Sequence, residues 1–187
     1  QEAVPSGEGA MLVVLGMASK ELDKILEMNN KKYECFIAND NSNLQVVVSG
    51  LKKDINLLSD DLNNKKIKNL KLNVSAPFHC KYMKTASEKM TSYINDLKMN
   101  ELEKPIISNV TAKETRSSKE IKSLLISQIE KKVRWLESVE YMINNGVKNF
   151  VEIGPGKVLS GLIKRINKNV NVNSINSEED IKLLIND

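Results

Sequence analysis

The sequence predicts an α/β protein in two parts: a βαββαβ unit of the ferredoxin-like kind, then a strand–helix alternation that implies a parallel sheet. Three observations carry this. Short apolar runs bounded by Gly, Asn and Ser alternate with segments whose apolar residues recur at helical spacing. The first six such segments run strand, helix, strand, strand, helix, strand, the split-βαβ order. Beyond residue 80, helices and strands take turns, as in sheets with helices packed on their faces.

The elements follow in order. GAMLVVLG (9–16) is an apolar run closed by glycine at both ends and reads as a buried strand. Ser19 is placed to cap a helix carrying Leu22, Ile25 and Leu26, which stops near the Asn29-Asn30 pair. YECFIAND (33–40) and LQVVVSG (44–50) read as strands, with NDNSN (39–43) supplying hairpin-loop chemistry between them. A helix over 51–63 aligns Leu51, Ile55, Leu58 and Leu62, and IKNLKLNV (67–74) alternates as a fourth strand. Residues 1–8 read as a connecting segment, 9–73 as the ferredoxin-like subdomain, and 74–187 as part of a larger α/β core.

In that second part, Met83, Ala86, Met90, Ile94 and Leu97 give a helix over 81–98. PIISNVTA (105–112) reads as a strand opened by proline. Ser118 is expected to cap a helix reaching about Lys132, and a further helix runs from Arg134 to Asn144, ended by Gly146. NFVEIGPG (149–156) is a strand entering a Gly-Pro-Gly turn, followed by a helix at 157–166, a strand at 170–175 and a closing helix.

Composition excludes several function classes. A 41% hydrophobic and 28% charged chain of 187 residues can bury a real core. The net charge of +4 comes from scattered lysines rather than one basic face, so no nucleic-acid partner is expected. No apolar run approaches the ~20 residues of a membrane span, and no basic-then-apolar leader opens the chain. Two cysteines, Cys35 and Cys80, make no disulfide framework, and a reducing cytoplasm is the expected setting. The first residue is Gln1, so the chain reads as a fragment.

The chemistry centres on NVSAPFHC (73–80), which holds the only histidine, His79. Pro77 restricts the backbone before it, and Phe78 gives it an apolar neighbour. A lone histidine is more often structural than catalytic; here its place at the junction of the two parts favours catalysis. An acyl-transfer histidine needs a nucleophile, an acceptor on its other ring nitrogen and an oxyanion site. No G-x-S-x-G pentad occurs. Cys80 is adjacent in sequence, and adjacent residues on extended backbone point apart. EIGPGK (152–157) meets neither the P-loop nor the dinucleotide pattern and reads as a tight strand-to-helix turn.

MLVVLG, ANDNS with QVVVSG, VSAPFH, PIISNVTA, QIEKKVRW and FVEIGPGKVLSGLIKRI occur in this order. Together they resemble the malonyl-CoA:acyl carrier protein transacylase family across essentially the whole chain. The resemblance implies an α/β-hydrolase-like acyltransferase core with an inserted ferredoxin-like subdomain, and this chain as its C-terminal portion, without the serine elbow. Apolar surface is then expected to be exposed on the large-domain part. The resemblance also implies that His79 is the catalytic base and that the main-chain carbonyl of Gln128 orients it. Asn41 would lie near the acyl pocket, and Phe78 at the position associated with malonyl rather than methylmalonyl selection. None of Arg116, Arg134 or Arg165 matches the family's carboxylate-gripping arginine. Malonyl-CoA and the phosphopantetheine thiol of acyl carrier protein are the implied substrates, with no metal or other cofactor and a monomer at full length. The alternatives are an inactive fragment, an RNA-binding ferredoxin-like module, and a thioester hydrolase using Cys80.

Overall fold

The computed structural model describes residues 7–186 in two units, residues 7–138 and 139–186. Residues 1–6 of the expected connecting segment lie outside the described residues.

The first unit opens with β1 (Gly9–Leu15), α1 (Ser19–Met28), β2 (Cys35–Ser42), β3 (Gln45–Leu51), α2 (Lys52–Asn64) and β4 (Asn69–Lys71). All pairings are antiparallel, in the order β2-β3-β1-β4. Period-2 alternation divides the strand residues between two faces. Leu12, Val14, Ile37, Val46 and Val48 pack with Leu22 and Leu26 of α1 and with Ile55, Leu58 and Leu62 of α2. Each fully buried leucine here contributes roughly 1.5–3 kcal/mol. The opposite face carries a smaller cluster, Met11, Ala38 and Val47, against which Val13 and Phe78 pack.

Three expectations change at this level. Ser19 is the first helical residue rather than the cap: extended Ala18 holds the N-cap position, and its carbonyl accepts from Glu21 and Leu22 N–H. NDNSN is not a loop. β2 runs through Ser42 and the turn is Asn43-Leu44, with register shifts between Ile37 and Asn39 and between Asp40 and Ser42. Asn41 therefore sits in a bulged strand. The fourth strand shortens from 67–74 to three residues, because the chain leaves the sheet edge toward Ala76 and Pro77, both fully buried.

Beyond β4 a 3-10 turn (Lys81–Met83) leads into α3 (Lys84–Asp96). PIISNVTA is not an eight-residue strand. Only β5 (Ile106–Ile107) forms, antiparallel to β6 (Glu114–Thr115), because the chain reverses between them. Val110 N–H bonds the Ser108 hydroxyl, and Ala112 N–H bonds the Ser108 carbonyl with Ala112 at φ 53°. α4 (Ser118–Gln128) is capped by Ser117, whose hydroxyl accepts from Glu120 N–H, so the cap is one residue earlier than expected. The helix ends at Gln128, four residues before the expected Lys132.

α5 (Trp135–Asn144) leads into the second unit, where β7 (Asn149–Ile153), α6 (Val158–Ile166), β8 (Asn171–Ile175) and α7 (Glu178–Asn186) follow. β7 and β8 pair in parallel around the α6 crossover. Ile153, Val158 and Leu183 are exposed there, as the sequence predicts for apolar surface in this part.

Candidate active site

His79 does not follow a strand end. It lies in a turn eight residues beyond β4, half-buried, with φ 61°. That left-handed conformation costs a non-glycine residue about 1 kcal/mol, and it persists because the turn is held from several sides. Ala76 and Pro77 are buried before it. After it, the Cys80 thiol donates to the Pro77 carbonyl at 3.1 Å, closing residues 77–80 into one tight unit. Lys81 and Tyr82 then both reach Glu34, just before β2. Phe36 stacks edge-on against Tyr82 with the Lys81 ammonium over both rings.

The ring itself is aimed. His79 Nδ1 lies 2.9 Å from the Gln128 carbonyl. A carbonyl only accepts, so Nδ1 carries a proton, and in the neutral ring Nε2 keeps its lone pair. Gln128 is the last residue of α4, where helix carbonyls lack intrahelical partners, and the negative end of the helix dipole faces the ring.

The segment after Gln128 is fixed to the sheet. Val133 N–H donates to Ala38 O at 2.8 Å, and Asp40 N–H donates to Val133 O at 2.9 Å, on the free edge of β2. The Gln128 side chain accepts from Asn109 Nδ2 at 3.2 Å. Arg134 Nη1 donates to the carbonyls of Val110 and Thr111, and its guanidinium pairs with Glu137. Arg134 is thus occupied in holding the Asn109–Thr111 loop.

His79 lines a cleft of about 630 Å³ shared with Cys80, Lys81, Glu130, Lys131 and the segment Tyr33–Ile37 that enters β2. Of the four residues proposed from sequence, the structure brings His79 and the Gln128 carbonyl together. Phe78 packs on the Met11/Ala38/Val47 face, and Asn41 occupies its bulge; neither lines this cleft. Sequence reasoning did not assign Glu34 or Asn109 to the site, and it only excluded Arg134 from the carboxylate-gripping role. Asn109 lies within a quoted motif, whereas nothing local in the sequence marks Glu34.

The competing readings lose their support. Burial pushes the Cys35 thiol up to about 12, and burial also raises Cys80, so neither is an activated nucleophile. At Cys80 the loss of water around the sulfur is only partly offset by the nearby Ser49 hydroxyl and Lys81. For RNA stacking, Tyr33 is buried and Phe36 is covered by Tyr82 and Lys81, so these rings present no aromatic platform. In EIGPGK, the N–H groups of Leu159 and Ser160 that open α6 are already taken by the Glu152 carboxylate, at 3.0 and 2.7 Å. Gly154 and Gly156 supply the positive φ values of that turn. It is a structural turn and not an anion cradle.

No family model matches the chain. A malonyl CoA-acyl carrier protein transacylase of Bacillus subtilis is 40% identical over 189 residues, covering 98% of this chain and 59% of that protein. The crystal structure of an acyl-carrier-protein-S-malonyltransferase from Bartonella henselae superposes with a TM-score of 0.94 at 35% identity, over all of this chain and 60% of that one. A malonyl-transacylase in complex with a type II PKS acyl-carrier protein superposes at 0.92 with 34% identity, over all of this chain and 61% of that one.

Fold and site together define the class, an α/β protein whose single histidine is aimed by a main-chain carbonyl. Over nearly its whole length the chain is similar to malonyl CoA-acyl carrier protein transacylases, and it spans 59% of the length of the curated relative it matches.

Proposed function

We propose that this chain supplies the histidine half of a Ser/His malonyl transfer from malonyl-CoA to the phosphopantetheine thiol of acyl carrier protein, in type II fatty acid synthesis. The observation that carries the proposal is the 2.9 Å contact between His79 Nδ1 and the Gln128 carbonyl beside the cleft. It leaves Nε2 free to act as a base.

The nucleophile is a serine outside these 187 residues, since no G-x-S-x-G pentad occurs within them. Nε2 takes the serine proton as the oxygen attacks the malonyl thioester. The imidazolium then returns that proton to the departing coenzyme A sulfur. In the second half, Nε2 deprotonates the carrier thiol, which attacks the acyl-serine, and the serine recovers its proton. The Gln128 carbonyl holds the ring orientation and favours the positive charge it takes on in transfer. Phe78 restricts the acyl α-carbon and Asn41 borders the acyl pocket.

In this reading residues 9–73 form the ferredoxin-like subdomain, supported by the βαββαβ order and the β2-β3-β1-β4 sheet. Residues 74–187 belong to the partial α/β-hydrolase-like core into which it is inserted. The chemistry requires no metal or other cofactor. The full-length enzyme is a cytoplasmic monomer, and the net charge of +4 favours an acidic carrier protein. Among the described residues no helix is long and apolar enough to cross a membrane.

The test is His79→Ala in a transacylase of the relatives' full length that carries this sequence. Acyl-serine formation from malonyl-CoA is expected to be lost; wild-type rates would refute the assignment.

A further inference from the structure

We propose that Gly9, at the start of β1, is a positioning residue for His79. The inference rests on the reading of His79 as the base and adds what holds that base in register.

Gly9 is buried and does not have a positive φ, so its backbone conformation is open to any residue. What excludes a side chain is space. A Cβ at Gly9 would overlap Pro77 Cδ outright, and it would lie 2.7 Å from Pro77 N and 2.9 Å from the Ala76 carbonyl carbon. These are ring and main-chain atoms that cannot swing aside. Restoring an ordinary carbon contact requires a retreat of roughly 1 Å.

The strand cannot supply that retreat. β1 is an inner strand, hydrogen-bonded to β3 on one side and β4 on the other. Gly9 itself pairs with Leu51, and Lys52 N–H bonds the carbonyl of Glu8 at 2.7 Å. The displacement therefore falls on Ala76–Pro77. Because Cys80 Sγ is bonded to the Pro77 carbonyl, residues 77–80 move as one piece. Gln128 does not follow, since Val133 and Asn109 hold its segment to β2 and to the Asn109–Thr111 loop. A shift of about 1 Å stretches the 2.9 Å contact from His79 to Gln128 past hydrogen-bond range. The ring then loses the bond that fixes its tautomer and direction.

The chain has a single histidine, so its imidazole gives one set of nitrogen resonances. In the wild-type chain these are expected to report protonated Nδ1 and bare Nε2. In Gly9→Ala they are expected to report a mixture of tautomers, with the far-ultraviolet circular dichroism of the fold retained. In the full-length enzyme carrying the same change, kcat for malonyl transfer is expected to fall about 100-fold, the scale of a 1 Å misplacement, with KM for malonyl-CoA unchanged. A locked Nδ1–H tautomer in Gly9→Ala, or kcat within about twofold of wild type, overturns the proposal. A mixed tautomer already in the wild-type chain instead overturns the His79–Gln128 reading on which it stands. If Gly9→Ala does not fold, Pro77→Ala removes the seated ring without touching β1. It is expected to release the tautomer in the same way, and a locked tautomer in that variant also overturns the proposal.

Discussion

Replacing Arg134 with alanine measures how firmly the Gln128 segment is held. The guanidinium donates to the carbonyls of Thr111 at 3.0 Å and Val110 at 3.3 Å, and it pairs with Glu137. Each carbonyl bond from a charged donor is worth about 1.5 kcal/mol, and the part-exposed setting lowers their sum to roughly 2 kcal/mol. The Glu137 pair adds little, because its side chains are 35% and 40% exposed and solvent screens them. Arg134→Ala should therefore destabilise residues 7–138 by about 2 kcal/mol. With a urea dependence near 2 kcal/mol per M, the midpoint falls by about 1 M. The assay is intrinsic fluorescence, since the only tryptophan, Trp135, is the next residue. Arg134→Lys should lose more than half as much, because an ammonium cannot span two carbonyls and a carboxylate in one plane. A loss under about 0.5 kcal/mol in Arg134→Ala, or no loss in Arg134→Lys, would refute the bracing role.

Two further predictions concern carboxylates. Burial, resisted by Lys132 and the Ser19 hydroxyl and reinforced by Glu137 and Asp23, raises the pKa of Asp40. Its contribution to stability is full below the ordinary value of 3.8 and is lost as pH rises through the folded value. Asp40→Asn should thus melt at a higher temperature than wild type at pH 7, with the difference vanishing toward about pH 3.5; a lower melting point at pH 7 counts against the argument. Glu152 shows the opposite sign: bonds from Ser160 and from the N–H groups at the start of α6 lower its pKa. The stability it gives is present above 4.5 and lost as pH falls through the folded value. Glu152→Gln should speed amide exchange at Leu159 and Ser160 at neutral pH, and the gap from wild type should close on acidification.

The sequence was legible where a pattern is local. The apolar runs GAMLVVLG and LQVVVSG and the helical spacing from Ser19 to the Asn29-Asn30 pair and over 51–63 predict β1, β3, α1 and α2 within a residue or two, because burial writes its pattern into the local chain. It was less legible where side chains compete with the ladder. Ser108 turns PIISNVTA back on itself, and two residues take the helix caps expected of their neighbours.

By itself, the sequence determined that one histidine exists, that it lies two residues after a proline, and that no serine elbow accompanies it. Only the tertiary structure decided where that imidazole points. Its acceptor is a main-chain carbonyl 49 positions away, and a carbonyl is carried by every residue type alike. The seat beneath Pro77 is likewise a glycine 68 positions earlier, chosen for the side chain it lacks. Neither leaves a mark on composition or period, so both become visible only when the folded chain brings them together.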